Sequence, residues 1–178
     1  VEVGADLPEQ ADVLIAEIFS AQLLSEEVIP TLEDAKRRLL KPDAIVIPAT
    51  GAMVGALVSS NELAQLTRVE NIEGFTFSTF NAFTPLLMNL ELPDTAYEWL
   101  SDAVDLFTFD FQADAEFPAA ETYVSVDVKA SGVCQGVVQW LRLMLDDQTP
   151  YENAPKDPTA DGGKIARSRH WTPLFYPF

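Results

Sequence analysis

Apolar residues cluster in short runs along the first third of the chain. Residues 11–17 form an apolar run that ends in a carboxylate, and residues 44–48 form a second run that ends in proline. Runs of this kind are typical of buried strands in a parallel sheet. Between them, residues 32–40 predict a helix with its basic side chains near the C-terminal end and with Thr31 as N-cap, because Asp34 stands at the capping-box distance. The pattern predicts an α/β element.

Beyond residue 60 the pattern changes to aromatic-rich segments with apolar side chains at alternate positions, which is typical of strands. The segments beyond residue 60 that read as strands are residues 75–80, 104–111, 121–128 and 136–145, while residues 52–59 extend the apolar pattern of the first part. Residues 146–163 are rich in Asp, Pro, Gly and Asn and predict a surface loop before a last aromatic segment. The second part is therefore expected to be an antiparallel sheet or barrel.

The chain is acidic, with 28 Asp and Glu against 11 Lys and Arg and a formal charge of −17. This charge disfavours direct nucleic-acid binding and permits a basic peptide partner, although acidity can also serve solubility alone. A single cysteine, Cys134, excludes an intrachain disulfide and a cysteine-based metal cluster and favours a reducing compartment. No apolar run is long enough to span a membrane. We expect a cytoplasmic protein with no membrane partner and no bound metal.

Residues 16–27, which we call the acidic loop, follow the first predicted strand with the sequence A-E-I-F-S-A-Q-L-L-S-E-E. The loop resembles the double-glutamate loop of protein arginine methyltransferases, with the pattern E-x-[FW/M]…L-[LI]-[GS]-E. Glu17 and Glu26 match its two carboxylates. The sequence that continues to Pro48 resembles the family's proline, its helix with an A-[KR]-x-[KR]-[FL]-L core and its strand ending in proline.

The resemblance implies that Glu17 and Glu26 hold the guanidinium of an arginine-containing protein or peptide. Guanidinium is planar and has five donors, so carboxylates can bind it through paired charge-assisted hydrogen bonds and orient one nitrogen for reaction. The methyl donor in the family is S-adenosylmethionine. On the residues alone a plainer interpretation stays open, in which Glu26 and Glu27 are first-turn acids favoured by the helix dipole.

The downstream half resembles the same family less closely. Gln135 stands where many members have histidine, residues 151–155 resemble the family's L-S-T-x-P loop, and R-H-W at residues 169–171 resembles T-H-W. By this resemblance His170 and Trp171 help to bind the substrate. The alternatives are a histidine satisfied at the end of a barrel and a tryptophan of the core.

The family's cofactor site needs a strand, a glycine-rich turn and a helix before the double-glutamate loop, and the eight glycines of this chain form no such turn. Hydrolase and metalloprotease motifs such as G-x-S-x-G and H-E-x-x-H are also absent. Two explanations stay open. The chain is the C-terminal part of an arginine methyltransferase that is inactive by itself, or it is a pseudo-methyltransferase module kept for dimerisation or partner binding.

The expected fold class is α+β, with a remnant of a Rossmann-like α/β methyltransferase sheet followed by an antiparallel β-barrel. Residues 1–50 would be the end of the methyltransferase domain, and residues 51–178 would be the barrel domain that binds substrate. By the family resemblance the enzyme works as a homodimer, and residues 81–99 are the predicted dimerisation arm.

Overall fold

The computed structural model describes residues 1–90, 96–113, 116–155 and 171–178. They fall into two compact units. The first unit contains Val1–Met53, Asp105–Tyr123 and Leu141–Glu152, and the second contains Val54–Val104, Val124–Trp140 and Asn153–Phe178.

The first unit begins with two parallel strands, β1 (Ala11–Ile15) and β2 (Leu40–Ile47), which helix α1 (Val28–Arg38) connects. Val13 lies opposite Ile45 in this pair. The helix packs on β2 and buries the side chains of Val28, Leu32 and Ala35. The predicted order of strand, helix and parallel strand is therefore confirmed.

The start of α1 differs from the sequence prediction. The helix begins at Val28, and the backbone nitrogen of Thr31 already donates to the carbonyl oxygen of Glu27 at 3.0 Å. Thr31 as N-cap was therefore wrong by one turn. Pro30 causes no loss here, because nitrogens in the first helical turn have no partner within the helix. Asp34 also does not close a capping box, since two arginines of the same helix bind it.

Nine further strands follow in the described part of the chain, and most of them form one seven-stranded sheet. The remaining strands are β3 (Thr50–Ser59), β4 (Asn71–Ile72), β5 (Phe75–Thr76), β6 (Met88–Asn89), β7 (Glu98–Trp99), β8 (Val104–Asp110), β9 (Gly136–Met144), β10 (Pro150–Glu152) and β11 (Leu174–Pro177). The seven-stranded sheet has the order β6-β11-β9-β3-β7, with β10 on β9 and β8 on β3, while β4 and β5 form a separate hairpin. Strand β9 runs antiparallel to β10 and β11, and β3 runs antiparallel to β7. The α+β class is confirmed, and within the described ranges the strand order is open at β6 and β7.

A short helix in the second unit, α2 (Asn61–Thr67), was not predicted from the sequence. Ser60 is its N-cap, because its hydroxyl oxygen accepts from the backbone nitrogen of Leu63 at 3.2 Å. The backbone nitrogen of Ser60 in turn donates to Oε1 of Gln135 at 2.7 Å. Gln135, which stands at the family's histidine position, thus fixes the start of α2.

Two predicted strands do not form as expected. Residues 121–128 make only one isolated bridge, between Val128 and Ser101, and Tyr123 is 92% exposed. Alternation of side chains was present, but a strand also needs a neighbour to satisfy its backbone groups. The predicted strand at residues 75–80 is shortened to β5 and is followed by a 3₁₀ helix, Ser78–Phe83.

Residues 146–163 were predicted to be one loop, but they contain β10. Their part beyond residue 155 lies outside the described residues. The last aromatic segment contains β11, and a Cβ on Gly136 of β9 would lie 2.1 Å from the carbonyl oxygen of Tyr176. Glycine is therefore required where these two strands meet. In the described ranges no helix is both long enough and apolar enough to cross a membrane.

Candidate functional site

The acidic loop leaves the carboxyl end of β1 and leads into α1. The backbone nitrogen of Ala16 donates to the carbonyl oxygen of Ile47 at 2.9 Å, so the pairing of β1 with β2 continues into the start of the loop. Glu17 and Glu26 are both exposed. Because ligands of open α/β sheets bind outside the carboxyl ends of the strands, both carboxylates belong to the loop at which a ligand is expected.

The backbone of the acidic loop is strained at three non-glycine residues. The angle φ is 64° at Leu23, 75° at Glu26 and 58° at Glu27. A left-handed backbone costs an L-residue roughly 1–2 kcal/mol, and full burial of a leucine side chain contributes about 1.5–3 kcal/mol. Burial therefore offsets the strain at Leu23, which is 0% exposed. Glu26 and Glu27 are exposed and gain no such burial, so the residues around them must hold their conformation. Strain of this kind clusters at binding and catalytic sites.

Two buried apolar side chains, Phe19 and Leu23, anchor the loop between its glutamates. The ring centroids of Phe19 and Phe111 are 5.4 Å apart. A tight turn joins the two anchors, since the backbone nitrogen of Leu23 donates to the carbonyl oxygen of Ser20 at 2.8 Å. The loop is therefore folded back on itself and fixed to the core of the first unit.

Strand β3 passes the same anchor at Gly51. A Cβ on Gly51 would lie 2.7 Å from Cε2 of Phe111 and 3.2 Å from Cδ1 of Leu23. The shorter distance is closer than Cβ atoms approach other heavy atoms in proteins. Gly51, Phe111 and Leu23 thus meet at one point, and the space for the loop anchor depends on the missing side chain.

The segment that carries Phe111 is fixed by hydrogen bonds to the end of β2 and the residues after it. The backbone nitrogen of Phe111 donates to the carbonyl oxygen of Ala49 at 2.8 Å. The side-chain amide of Gln112 then pairs with the β2 backbone, accepting from the nitrogen of Val46 at 2.8 Å and donating to the oxygen of Ala44 at 2.9 Å. This amide takes the place of a neighbouring strand. Gln112 could not be predicted from the sequence, because no local motif marks it.

Among the residues that the structure describes, three basic side chains on α1 and β2 form ion pairs with aspartates outside the acidic loop. Asp34 binds two arginines of α1, and Asp12 accepts from Nζ of Lys41 at 2.8 Å. Within the described ranges, no Lys or Arg lies within ion-pair distance of Glu26 or Glu27. Their carboxylates face solvent and can accept from a cationic ligand.

In the second unit, Trp171 is half-buried and its carbonyl oxygen accepts from Nδ2 of Asn153 at 3.0 Å. Asn153 is buried and belongs to residues 151–155, which resemble a loop of the family, but the sequence analysis did not assign it a role. His170 lies outside the described residues. The two candidate substrate-binding residues thus stay a prediction.

A charged group in the first unit fixes β10, the strand that ends directly before Asn153. Nη1 of Arg142 donates to Oδ1 of Asp105 at 2.8 Å, and Nε donates to Oε2 of Glu152 at 3.2 Å. The hydrogen bond to Glu152 is the main cause that raises the pKa of Arg142 above its usual value, although burial opposes it. Arg142 therefore stays charged at any pH at which the protein folds.

The connection between β1 and α1 does not fit S-adenosylmethionine. It contains three glutamates and no glycine, whereas a nucleotide-type cofactor is held where a glycine-rich turn lets the backbone approach it. Among the described residues, no group of three His, Cys, Asp or Glu side chains could hold a metal ion.

Comparison with known proteins gives curated relatives along almost the whole chain. The arginine N(omega)-methyltransferase of Streptomyces achromogenes subsp. streptozoticus is 31% identical over 173 residues, which are 97% of this chain and 46% of the relative. Protein arginine N-methyltransferase 1.6 of Arabidopsis thaliana is 28% identical and covers 96% of this chain and 26% of its own length. Protein arginine N-methyltransferase 7 of Drosophila yakuba is 28% identical, and the match covers 99% of this chain and 30% of that relative. The chain is similar to protein arginine methyltransferases along almost its whole length.

The chain spans under half the length of the curated relatives it matches. A solved structure described as the Trypanosoma brucei PRMT1 enzyme-prozyme heterotetrameric complex with AdoHcy is similar in fold, with a TM-score of 0.69 and 16% identity. The match covers 100% of this chain and 55% of that one. No protein-family model matches the chain. The predicted family resemblance is confirmed.

Proposed function

We propose that the acidic loop holds the guanidinium of a substrate arginine through the carboxylates of Glu17 and Glu26. The observation that carries this proposal is the strained backbone at Glu26, in a loop that Phe19 and Leu23 anchor to the core. A solvated acidic turn needs neither the strain nor the anchors. An arginine site needs both, because the carboxylates must keep one geometry before the substrate arrives.

The role of the two carboxylates is to bind and to orient. Each carboxylate can accept paired hydrogen bonds from the guanidinium, which fixes the plane of the group and the direction of its terminal nitrogens. The negative charges also draw the positive charge of the guanidinium towards the loop and away from the nitrogen that reacts. His170 and Trp171 are further proposed to help bind the substrate.

S-adenosylmethionine supplies the methyl group in the proposed activity, and its binding residues lie outside this chain. The solved Trypanosoma brucei structure of similar fold is described as a complex with AdoHcy. AdoHcy is what remains of S-adenosylmethionine after it gives up its methyl group. In this proposal residues 1–50 are the end of a methyltransferase domain, residues 51–178 form the domain that binds substrate and dimerises, and the chain alone transfers no methyl group. The complete enzyme is a cytoplasmic homodimer.

A second candidate function is a pseudo-methyltransferase module that serves dimerisation or partner binding. The unexplained apolar surface in the second unit favours it, because several large side chains near the predicted arm are exposed. They are Ile72, Phe75, Phe80, Phe83 and Leu86. A module of this kind would keep the association surface and bind no arginine.

Two titrations of the purified chain test the proposal. Calorimetry with S-adenosylmethionine should detect no binding, and specific one-to-one binding would mean that a cofactor site exists in this chain. An arginine-containing peptide, followed through the amide resonances of Glu17 and Glu26, should shift both resonances. The same peptide with citrulline at the arginine position is the matched control and should leave them unchanged. An arginine peptide that shifts neither resonance would favour the pseudo-methyltransferase module.

A further inference from the structure

The anchor of the acidic loop depends on a residue that belongs to neither the loop nor the proposed site. Gly51 lies in β3, 25 residues after Glu26 along the chain. The position that a Cβ on Gly51 would occupy lies within 3.2 Å of both Leu23 and Phe111. A side chain on this residue cannot be accommodated unless one of those two side chains moves.

We propose that Gly51 is a positioning residue for the substrate site, because the space it leaves to Phe111 and Leu23 determines where Glu17 and Glu26 stand. This inference rests on the proposed arginine site. It goes beyond that proposal by assigning the geometry of the two carboxylates to a contact in the core.

Neither neighbour of Gly51 can move freely. Phe111 is fully buried, its backbone is bonded to Ala49, and its ring packs on Phe19. The ring of Phe109, on β8, also stacks on it, since the centroids of Phe109 and Phe111 are 6.3 Å apart with an interplanar angle of 6°. Leu23 is the neighbour with the weaker support, because its left-handed backbone is already strained. A Cβ on Gly51 would meet the ring of Phe111 first, at 2.7 Å, and Leu23 next, at 3.2 Å. Crowding at Gly51 should therefore displace Leu23 together with the ring on which Phe19 packs, and with them the acidic loop.

The displacement reaches both glutamates because the anchors lie between them. Phe19 is two residues after Glu17, and Leu23 is three residues before Glu26. The turn from Ser20 to Leu23 links the two anchors through a hydrogen bond of 2.8 Å. A shift of Leu23 thus changes the separation of the two carboxylates, and a paired arrangement around guanidinium tolerates little change.

The test compares Gly51→Ala with a glycine of similar crowding elsewhere. A Cβ on Gly132 would lie 2.9 Å from Cδ2 of Leu100 and 3.2 Å from Oγ of Ser59, all within the second unit. Gly132→Ala therefore controls for the general effect of crowding. The first measurement is the amide spectrum of the acidic loop, and the second is the affinity of the same arginine-containing peptide.

Gly51→Ala should shift the amide resonances of the acidic loop. It should also lower the affinity for the peptide by about tenfold, the equivalent of one lost charge-assisted hydrogen bond. Gly132→Ala should change neither measurement. The double variant Gly51→Ala with Phe111→Leu removes the ring atoms that a new Cβ would meet, and it should restore the wild-type loop spectrum and most of the affinity. If Gly51→Ala does not fold, Leu23→Ala removes the same anchor without crowding and should produce the same shift and loss.

Unchanged loop amides in folded Gly51→Ala, or equal effects of Gly51→Ala and Gly132→Ala, would overturn the positioning role. Failure of the wild-type chain to bind the peptide would instead count against the arginine site. The loop spectra would then still decide whether Gly51 sets the loop geometry. The two proposals can thus fail separately.

Discussion

The side-chain amide of Asn153 holds the backbone of Trp171, donating from Nδ2 to the carbonyl oxygen at 3.0 Å. Asn153 is only 5% exposed. Asn153→Ala leaves this part-buried carbonyl without its amide donor, which should lower the free energy of unfolding by about 0.5–1.5 kcal/mol. Urea unfolding followed by tryptophan fluorescence measures the change.

Asn61→Ala is the matched control, because Asn61 is an exposed asparagine at the start of α2. It should change the free energy of unfolding by less than about 0.5 kcal/mol. Equal losses of unfolding free energy in the two variants would show that the hydrogen bond to Trp171 does not stabilise the fold.

Charge removal at the acidic loop gives the most direct test of the chemistry. Glu17→Gln and Glu26→Gln each keep the size of the side chain but remove one charged acceptor, so the complete enzyme should lose at least about a hundredfold in kcat/KM while staying folded. Methyl transfer to an arginine peptide is the measurement, made on the enzyme that contains this chain together with its cofactor-binding part.

Glu27→Gln separates a site effect from a loop effect. Glu27 is exposed, carries the same charge and has the same left-handed backbone as Glu26, but it lies outside the two matched positions. Near-normal turnover is expected for it. Near-normal turnover in Glu17→Gln or Glu26→Gln would remove that residue from the mechanism.

The local parts of the fold could be predicted from the sequence. β1, α1 and β2 follow from apolar runs and helical spacing, which a segment carries within itself. The acidic loop was found through its resemblance to the double-glutamate loop of a known family, whose two carboxylates are close in sequence. The helix start was misplaced by one turn, since Thr31 and Asp34 looked like a capping box although Asp34 binds arginines instead.

The contacts that hold the loop could not be predicted, because they join residues far apart in the chain. Gln112 bonds to β2 across 66 and 68 residues. Phe111 was one apolar position among several in residues 104–111 and carried no sign that it anchors the loop. The strand predicted at residues 121–128 was wrong for a related reason. Alternation of apolar and polar residues shows which face of a strand is apolar, but it does not show which strand will pair with it.

Exposed aromatic and leucine side chains within the predicted arm should support association of two chains. Phe83 is 82% exposed and Leu86 is 88% exposed, so burying both on association would be favourable. A variant with Phe83→Ser and Leu86→Ser should weaken any dimer by at least about tenfold. Sedimentation over a range of concentrations gives the dissociation constant.

Tyr123→Ser is the control for loss of exposed aromatic surface, because Tyr123 is 92% exposed and lies outside the arm. It should leave the dissociation constant unchanged. Equal weakening by both variants would mean that association is not specific to the arm.

A hydrogen-bonded group on α1 predicts one component of the pH dependence of stability. Hydrogen bonds from Arg38 and then Arg37 hold the pKa of Asp34 well below its ordinary value of 3.8. Because the folded state lowers this pKa, the stabilisation is fully present above 3.8 and is lost as the pH falls below it. Asp34→Asn should therefore be less stable than the wild type at about pH 6, and the difference should shrink at about pH 2. Urea midpoints of both proteins measure the difference, and the comparison cancels the general effect of the acidic surface.

Since the ion pair of Asp34 with the two arginines is exposed, added salt should also reduce the difference in stability. A difference that stays constant with pH would show that Asp34 acts through something other than its charge.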